Sequence, residues 1–324
     1  MFKVNRLWQL HIWELSGPPS TWEQQLHERM KAEPVFAVIS GLAGKIWAPV
    51  QKFCNDEAVP CLFPNVDLPV TGLDNNYTIY FSQGVLLEAN LIAHDIGKRL
   101  PDPASHRLVQ IFRSGDVGEA AASALSENMK ASGVSVQNQI LPAVPKQGDV
   151  AEAISSTKPG DMLALWLRPG DAAELGPLTG AAIVYASSVM GGADKPAIPA
   201  PWRAQTRLAY PFDLPLRRRV PVDYALGWFR IRQIPIVALR VQADTFLACG
   251  LLAETLSHMV DAFVRDYLIE RMEDMISRRV ITGYYRNLSL GLGQRIASKG
   301  GYIVRFAGHD NSQLVADGDW IVPE

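Results

Sequence analysis

Pro34–Val70 reads PVFAVISGLAGKIWAPVQKFCNDEAVPCLFPNVDLPV. Val35–Ile39 is a five-residue apolar, mostly β-branched run with no polar side chain on either face, as a parallel strand covered on both sides requires. It ends in Ser40-Gly41-Leu42-Ala43-Gly44. Lys45–Glu57 then carries apolar residues at helical spacing, and Pro60 opens a second short run to Phe63. Strand, glycine-bearing loop, helix and proline-led strand make a βαβ unit.

The alternation continues outward from this unit. Upstream, Ser20–Lys31 reads as a helix with Ser20 or Thr21 as N-cap and Glu23 in its first turn, and Leu7–Glu14 alternates like an edge strand. Downstream, a strand at Tyr77–Phe81 leads into a helical pattern from Ser82 to Leu100. A second set follows: strands Leu108–Phe112, Val134–Ile140, Met162–Leu167 and Ala181–Ala186, with helices Val117–Ser132 and Asp149–Ser156. Gly191–Pro221 is rich in proline and reads as an extended connection between lobes. A long helix from about Gln242 to Arg278, broken once, precedes a two-stranded end (GYIVRF, then QLVADGDWIV). The pattern predicts an α/β fold of βαβ units around parallel sheets, in two domains or two lobes of one fold.

Composition narrows the function. The chain has 324 residues, 48% hydrophobic and 20% charged, which excludes disordered, collagenous and coiled-coil classes and allows two cored lobes. Thirty-one basic against 33 acidic residues, a net charge of −2, argues against a nucleic-acid partner, and Arg217-Arg218-Arg219 reads as a solvated loop. No apolar stretch approaches the roughly 18 residues of a membrane span, so no direct membrane insertion is expected. MFKVNRLWQLHIWELSG lacks the h-region of a secretion signal. The three cysteines have no metal-type spacing. Cys54 and Cys61 are compatible either with a disulfide or with two buried thiols, and Cys249 reads as a core residue.

Catalytic fingerprints are missing. There is no GxSxG elbow and no GxxxxGK[ST] loop. Gly291-Leu292-Gly293-Gln294-Arg295-Ile296-Ala297 only approximates a dinucleotide loop and precedes a strand, and the six histidines show no metal-ligand spacing. The chain reads as a non-enzyme without metal or cofactor. What remains is a pair of strand-to-helix corners, Ser40–Gly44 and Ser114-Gly115-Asp116-Val117-Gly118. Each alone reads as a tight βα turn; two matched corners on two lobes favour a ligand cleft outside the carboxyl ends of the strands.

The Pro34–Val70 stretch, then YTIYFSQGVLLEANLIAHDIGKRL and RLVQIFRSGDVGEAAASAL, resembles the leucine/isoleucine/valine-binding type of type I periplasmic binding proteins, the substrate-binding subunits of ABC importers. RLAYPFD and QADTFLACGLLAETL also fit, and the likeness covers nearly the whole chain in element order. The resemblance implies an α/β fold of two Rossmann-like lobes joined by three crossings that close by a hinge on a small amino-acid-like molecule or carboxylate. Lobe one would hold 1–82 and about 210–278, lobe two 83–209 and about 279–324. The first lobe reads as lacking its first strand, so the start is either truncated or preceded by residues of a longer protein.

Ligand contacts carried over from the resemblance fall on Ser40, Gly41, Leu42 and Ala43, with Leu42, Ala43 and Gly44 standing where hydroxyls are common. The next corner supplies Pro64 and Asn65, the first crossing Ser82 and Gln83, and lobe two Arg113, Asp116, Trp166, Arg168, Ser187 and Ser188. Arg113 and Arg168 would pair bidentately with a carboxylate. The resemblance further implies a membrane permease as partner and a periplasmic location, which a Cys54–Cys61 pair would suit. The same closure would also serve a ligand-sensing domain of a regulatory system.

Overall fold

The computed structural model describes residues 7–72, 75–100, 102, 105–177, 180–181, 183–260 and 262–323. Met1–Arg6 of the N-terminal reading, Ala182 of the expected strand and Asp261 of the expected long helix lie outside them. Two sheets organise the chain. The small one is parallel, in the order β1 (Val38–Ile39), β2 (Cys61–Leu62), β3 (Thr78–Ile79), with Val38 opposite Cys61 and Leu62 opposite Ile79. Helices α1 (Trp22–Ala32) and α2 (Ala48–Asp56) pack with it, and Cys54 of α2 is disulfide-bonded to Cys61 of β2.

The large sheet has seven strands, β4 (Arg107–Arg113), β5 (Ser135–Leu141), β6 (Met162–Trp166), β7 (Ile183–Ser187), β8 (Thr206–Tyr210), β9 (Tyr302–Ala307) and β10 (Gln313–Ala316), in the order β10-β9-β8-β7-β6-β4-β5. All neighbours are parallel except β8 with β9 and β9 with β10. β6 is apolar throughout and wholly buried because helices cover both of its faces, whereas β5 at the edge alternates in exposure. The wholly buried amide of Gln110 on β4 is satisfied: it donates to Ala122 O, Ser126 Oγ and Asn138 Oδ1, and its carbonyl accepts from Trp166 Nε1.

Helices α3 (Val85–Arg99) and α4 (Val117–Lys130) seal one face, where Leu91, Leu125 and Met129 meet Leu108, Phe112 and Trp166. Short α5 (Asp149–Ser155), α6 (Pro169–Ala172), α7 (Ser188–Gly191) and α8 (Ala200–Arg203) connect the strands. The helical layer α9 (Pro215–Ile231), α10 (Leu239–His258) and α11 (Arg265–Ser277) shares a core with both sheets. Phe63, Phe81, Tyr285 and Phe212 form a stacked aromatic run through that shared core.

The chain passes between the sheets three times, at 82–84, 211–214 and 299–301. The last lies beyond the boundary expected near 279, because the segment after α11 first pairs with the small sheet, Ile296 bridging Tyr80. At the first passage Gly84 has φ 57°, and a Cβ there would stand 2.0 Å from the carbonyl oxygen of Asp67, which accepts the N–H of Val85. Only glycine fits.

Several sequence expectations need correction. Leu7–Glu14 forms no strand: Trp8 packs on Phe36 and Phe263 and Trp13 on Phe53, while Leu7, Leu10 and Ile12 point to solvent, so the alternation of Trp8, Leu10 and Ile12 marks no buried face. The proline-rich connection hides a central strand, β8, because its prolines stay out of the ladder: Pro201 lies in α8 and Pro211 follows directly after the strand, where a missing N–H costs no strand pairing. Arg217–Arg219 belong to α9. Arg218 is buried there, donating to Tyr210 Oη, to Asp213 O and, at 2.7 Å, to Asp194. Cys249 is exposed on α10. The long helix does break once, at 259–264.

Replacing Gly84 by alanine should lower unfolding free energy by about 2 kcal/mol or more, since both the positive φ and the Asp67 carbonyl oppose a side chain. Urea unfolding of Gly84→Ala measures it, and a loss below about 0.5 kcal/mol would refute the tight-crossing account.

Candidate functional site

The two matched corners face one another. Ser40–Gly44 leaves the carboxyl end of β1, Ser114–Gly118 leaves that of β4, and Lys45 Nζ donates across the gap to Gly115 O at 2.7 Å. A second tie runs through Arg168, which follows β6. Its Nε and Nη2 grip both oxygens of Asp116 at 2.9 and 3.0 Å, while its Nη1 reaches Asp67, on the loop after β2, at 2.7 Å. Asp116 also caps α4 through Val117 N.

Between the sheets lies a narrow cleft that opens to solvent. Pro64, Asn65 and Val66 wall it from the corner after β2, Phe81, Ser82 and Gly84 from the first crossing, Val189 from α7, and Phe212 from the second crossing. Its charged floor comes from α10. Arg240 lies over the Phe212 ring at 5.9 Å and reaches Asp67 at 3.6 Å and Asp244 at 3.4 Å. Asp244 is 2% exposed; its Oδ2 accepts from Arg240 and from Tyr285 Oη at 3.2 Å, and its Oδ1 has no hydrogen-bond partner among the described residues. Burial pushes its carboxyl up to about 6, against the pull of the Arg240 charge and the tyrosine hydroxyl. A buried carboxylate oxygen left without a donor is costly, and a donor group entering the cleft would relieve it.

The sequence-derived residues divide by location. Asn65 and Ser82 line the cleft. Ser40, at φ 51°, sits behind Asn65: its Oγ accepts from Asn65 Nδ2 at 2.8 Å and lies 2.6 Å from Thr245 Oγ1. Gly41 and Ala43 serve packing, since a Cβ on Gly41 would stand 2.4 Å from the Trp47 ring and Ala43 joins the same cluster, while Leu42 is exposed and bridges Asn65 through its backbone. Gln83 is half-buried, with its carbonyl accepting from Leu86 N. Asp116 and Arg168 are bonded to each other.

Arg113, Trp166, Ser187 and Ser188 are engaged inside the large-sheet lobe. Arg113 donates to Asp171, Asp149 and Pro142 O, because the aspartates of α5 and α6 converge on the end of β4. Trp166 is buried against Gln110. Ser187 and Ser188 enclose Glu88 of α3, whose carboxylate accepts from Ser187 Oγ, from Ser188 N and Oγ at 2.7 and 2.9 Å, and from Val189 N at 2.9 Å. Burial raises Glu88 to about 7, with those four donors opposing the rise.

Arg240, Asp244, Phe212 and Tyr285 escaped sequence reading. Their one legible trace is Arg240 and Asp244 at i and i+4, charges on an otherwise apolar stretch of helix. Glu23, His27 and Asp56 also bring donor atoms within 4.8 Å of one another, but Lys52 Nζ already lies 2.6 Å from Glu23 and 2.7 Å from Asp56, and His27 pairs with Glu57.

The sequence matches no protein-family model, and no curated protein matches it. Solved structures do. A branched-chain amino acid ABC transporter protein from Thermus thermophilus with bound valine aligns over 94% of this chain and 83% of its own at TM-score 0.69 and 9% identity. A substrate-binding periplasmic protein from Ralstonia solanacearum aligns over 91% and 84% at TM-score 0.68 and 11% identity. A fatty acid ABC transporter substrate-binding protein from Thermomonospora curvata aligns over 93% and 79% at 0.63 and 12%. The chain has the two-lobed fold of the type I periplasmic binding proteins.

Glu88 titrates near 4.5 when unfolded and about 7 when folded, so the folded chain holds an extra proton between those values. The stabilisation is complete below the lower value and is lost as pH rises through the upper one. Unfolding free energy should therefore fall, on the order of 3 kcal/mol, from about pH 4.5 to about pH 7.5, and Glu88→Gln should flatten that slope. Urea titrations of both proteins across this range decide it; identical slopes would exclude Glu88 as the source.

Proposed function

We propose that this chain captures a small polar metabolite in the cleft between its two lobes and acts as the substrate-binding component of an ABC-type importer. The observation that carries the reading is the unpartnered, buried Oδ1 of Asp244 at the cleft floor beside Arg240. A ligand bearing both an N–H or O–H donor and an acidic or carbonyl oxygen complements that pair, and an amino acid or amide-bearing carboxylate has both groups. Asn65 and Ser82 offer further polar contacts from the small-sheet side.

The fold supports the same reading, since its neighbours include a branched-chain amino acid ABC transporter protein with bound valine, a fatty acid ABC transporter substrate-binding protein and a substrate-binding periplasmic protein. Ligand contacts from both lobes would stabilise the closed arrangement, in which Lys45–Gly115 and Arg168–Asp67 meet, as a population shift. The role is binding, not turnover. The proposed partner is a membrane permease that reads the closed form, and the proposed location is the periplasm. No helix among the described residues is long and apolar enough to cross a membrane.

Thermal unfolding against amino acids, small carboxylates, amides and fatty acids tests the reading. A cognate ligand at about 100 times its dissociation constant should add about 2.7 kcal/mol, a Tm rise of several degrees. Asp244→Ala should weaken that ligand roughly 10- to 100-fold, the loss of a charge-assisted hydrogen bond. A cooperative transition that no compound shifts would overturn the proposal.

A further inference from the structure

The exposed face of α9 is apolar, aromatic and edged with arginine. Leu216, Val220, Tyr224, Trp228 and Ile231 recur at steps of four, four, four and three, so at 3.6 residues per turn they lie on one stripe along the whole helix. They are between 41% and 84% exposed, while Val222, Ala225 and Phe229 on the opposite side are buried. Phe229 packs on Phe246 of α10, and Trp228, at the edge of the stripe, also reaches that ring at 5.7 Å while staying 41% exposed.

The charges around the stripe are one-sided. Arg219 and Arg230 flank it on one margin, Arg232 on the other, and Arg217 emerges within it; all four are exposed, and none forms an ion pair among the described residues. Asp223 is the only acid of α9, in a chain whose net charge is −2. Arg232 lies 5.9 Å from the Trp228 ring centroid, so the aromatic and the cation share one position at the edge of the stripe.

We propose that this face of α9 docks on an anionic phospholipid surface, the apolar stripe entering the headgroup boundary and the arginines meeting phosphates. An amphipathic helix lying in a membrane interface has this distribution: Trp and Leu on the inner side, cations at the margins, aromatics at headgroup depth. Long arginine stems let the guanidinium groups reach the phosphates while the helix settles. A second copy is a poorer occupant, because antiparallel self-pairing of the stripe would bring Arg217 and Arg219 of one helix against Arg230 and Arg232 of the other. Docking here places the protein on the bilayer independently of its ligand cleft.

Co-sedimentation of the full chain with vesicles tests this. The wild type should pellet with phosphatidylcholine vesicles containing phosphatidylglycerol, release at high salt, and stay in solution with phosphatidylcholine alone. Leu216→Ser with Ile231→Ser should cut the partition coefficient at least about tenfold at an unchanged Tm, both sites being largely solvent-exposed. Arg219→Glu with Arg230→Glu should abolish the preference for the anionic lipid. Failure to pellet, equal binding to neutral vesicles, or indifference to both double variants would overturn the proposal. So would light scattering that shows a dimer which Leu216→Ser dissociates, an outcome that gives the stripe to a second copy.

Discussion

Asp67 is the junction on which the arrangement of the two lobes depends. Its carboxylate, largely buried, takes Arg168 from the large-sheet side and Arg240 from the helical layer, and its carbonyl accepts the first N–H of α3 just past the crossing glycine. One residue thus joins the corner after β2, the start of α3 and both faces of the cleft. A carboxylate removed from water is tolerated only when cations and donors surround it, so each arginine is held where Asp67 needs it. Arg168 in turn is fixed by Asp116, and the matched corners end up face to face.

The same rule governs the other buried acids, with two different outcomes. Glu88 has four donors around its two oxygens and no cation, so burial lifts it toward neutrality without leaving any atom bare. Asp244 has a cation and a hydroxyl on one oxygen and nothing on the other. The first is a closed network that ties α3 to the turn after β7. The second is an open valence facing a cleft, which a structure keeps at a cost unless something fills it.

Charge is also segregated on the outside. Several partly buried cations are paired, as with Arg99, Arg107 and Arg295. The exposed arginines of α9 are not, and they border the exposed apolar stripe of that helix. A helix whose inner face already contributes Phe229 and Val222 to the shared core gains no folding stability from exposed Leu216 or Ile231, so their chemistry is read by something outside the chain.

The alternation of short apolar runs with helical periods is a local property, and the sequence by itself determined the α/β class, the order of most elements, the two glycine-bearing corners and the break between α10 and α11. A strand covered on both faces must be apolar, and a helix over a sheet must be apolar on one side, so these signals survive without knowledge of partners. The N-terminal alternation misled because Trp8, Leu10 and Ile12 have the spacing of a strand face although Leu10 and Ile12 are exposed and no strand among the described residues pairs with the segment. β8 was hidden because prolines frame it, and the place of Arg218 because a basic run looks the same in a loop and on a helix.

Only the tertiary structure decided which polar residues are spent on each other. Arg113 and the pair Ser187–Ser188 carry ligand-type chemistry in sequence, yet aspartates from α5 and α6 close on the first and Glu88 from α3 on the second. Arg240 and Asp244 became the cleft floor only because α10, far along the chain, lies under the corner after β2. Residue type states what a side chain can bond; whether that bond is already made depends on neighbours tens or hundreds of residues away, and folding alone brings them there.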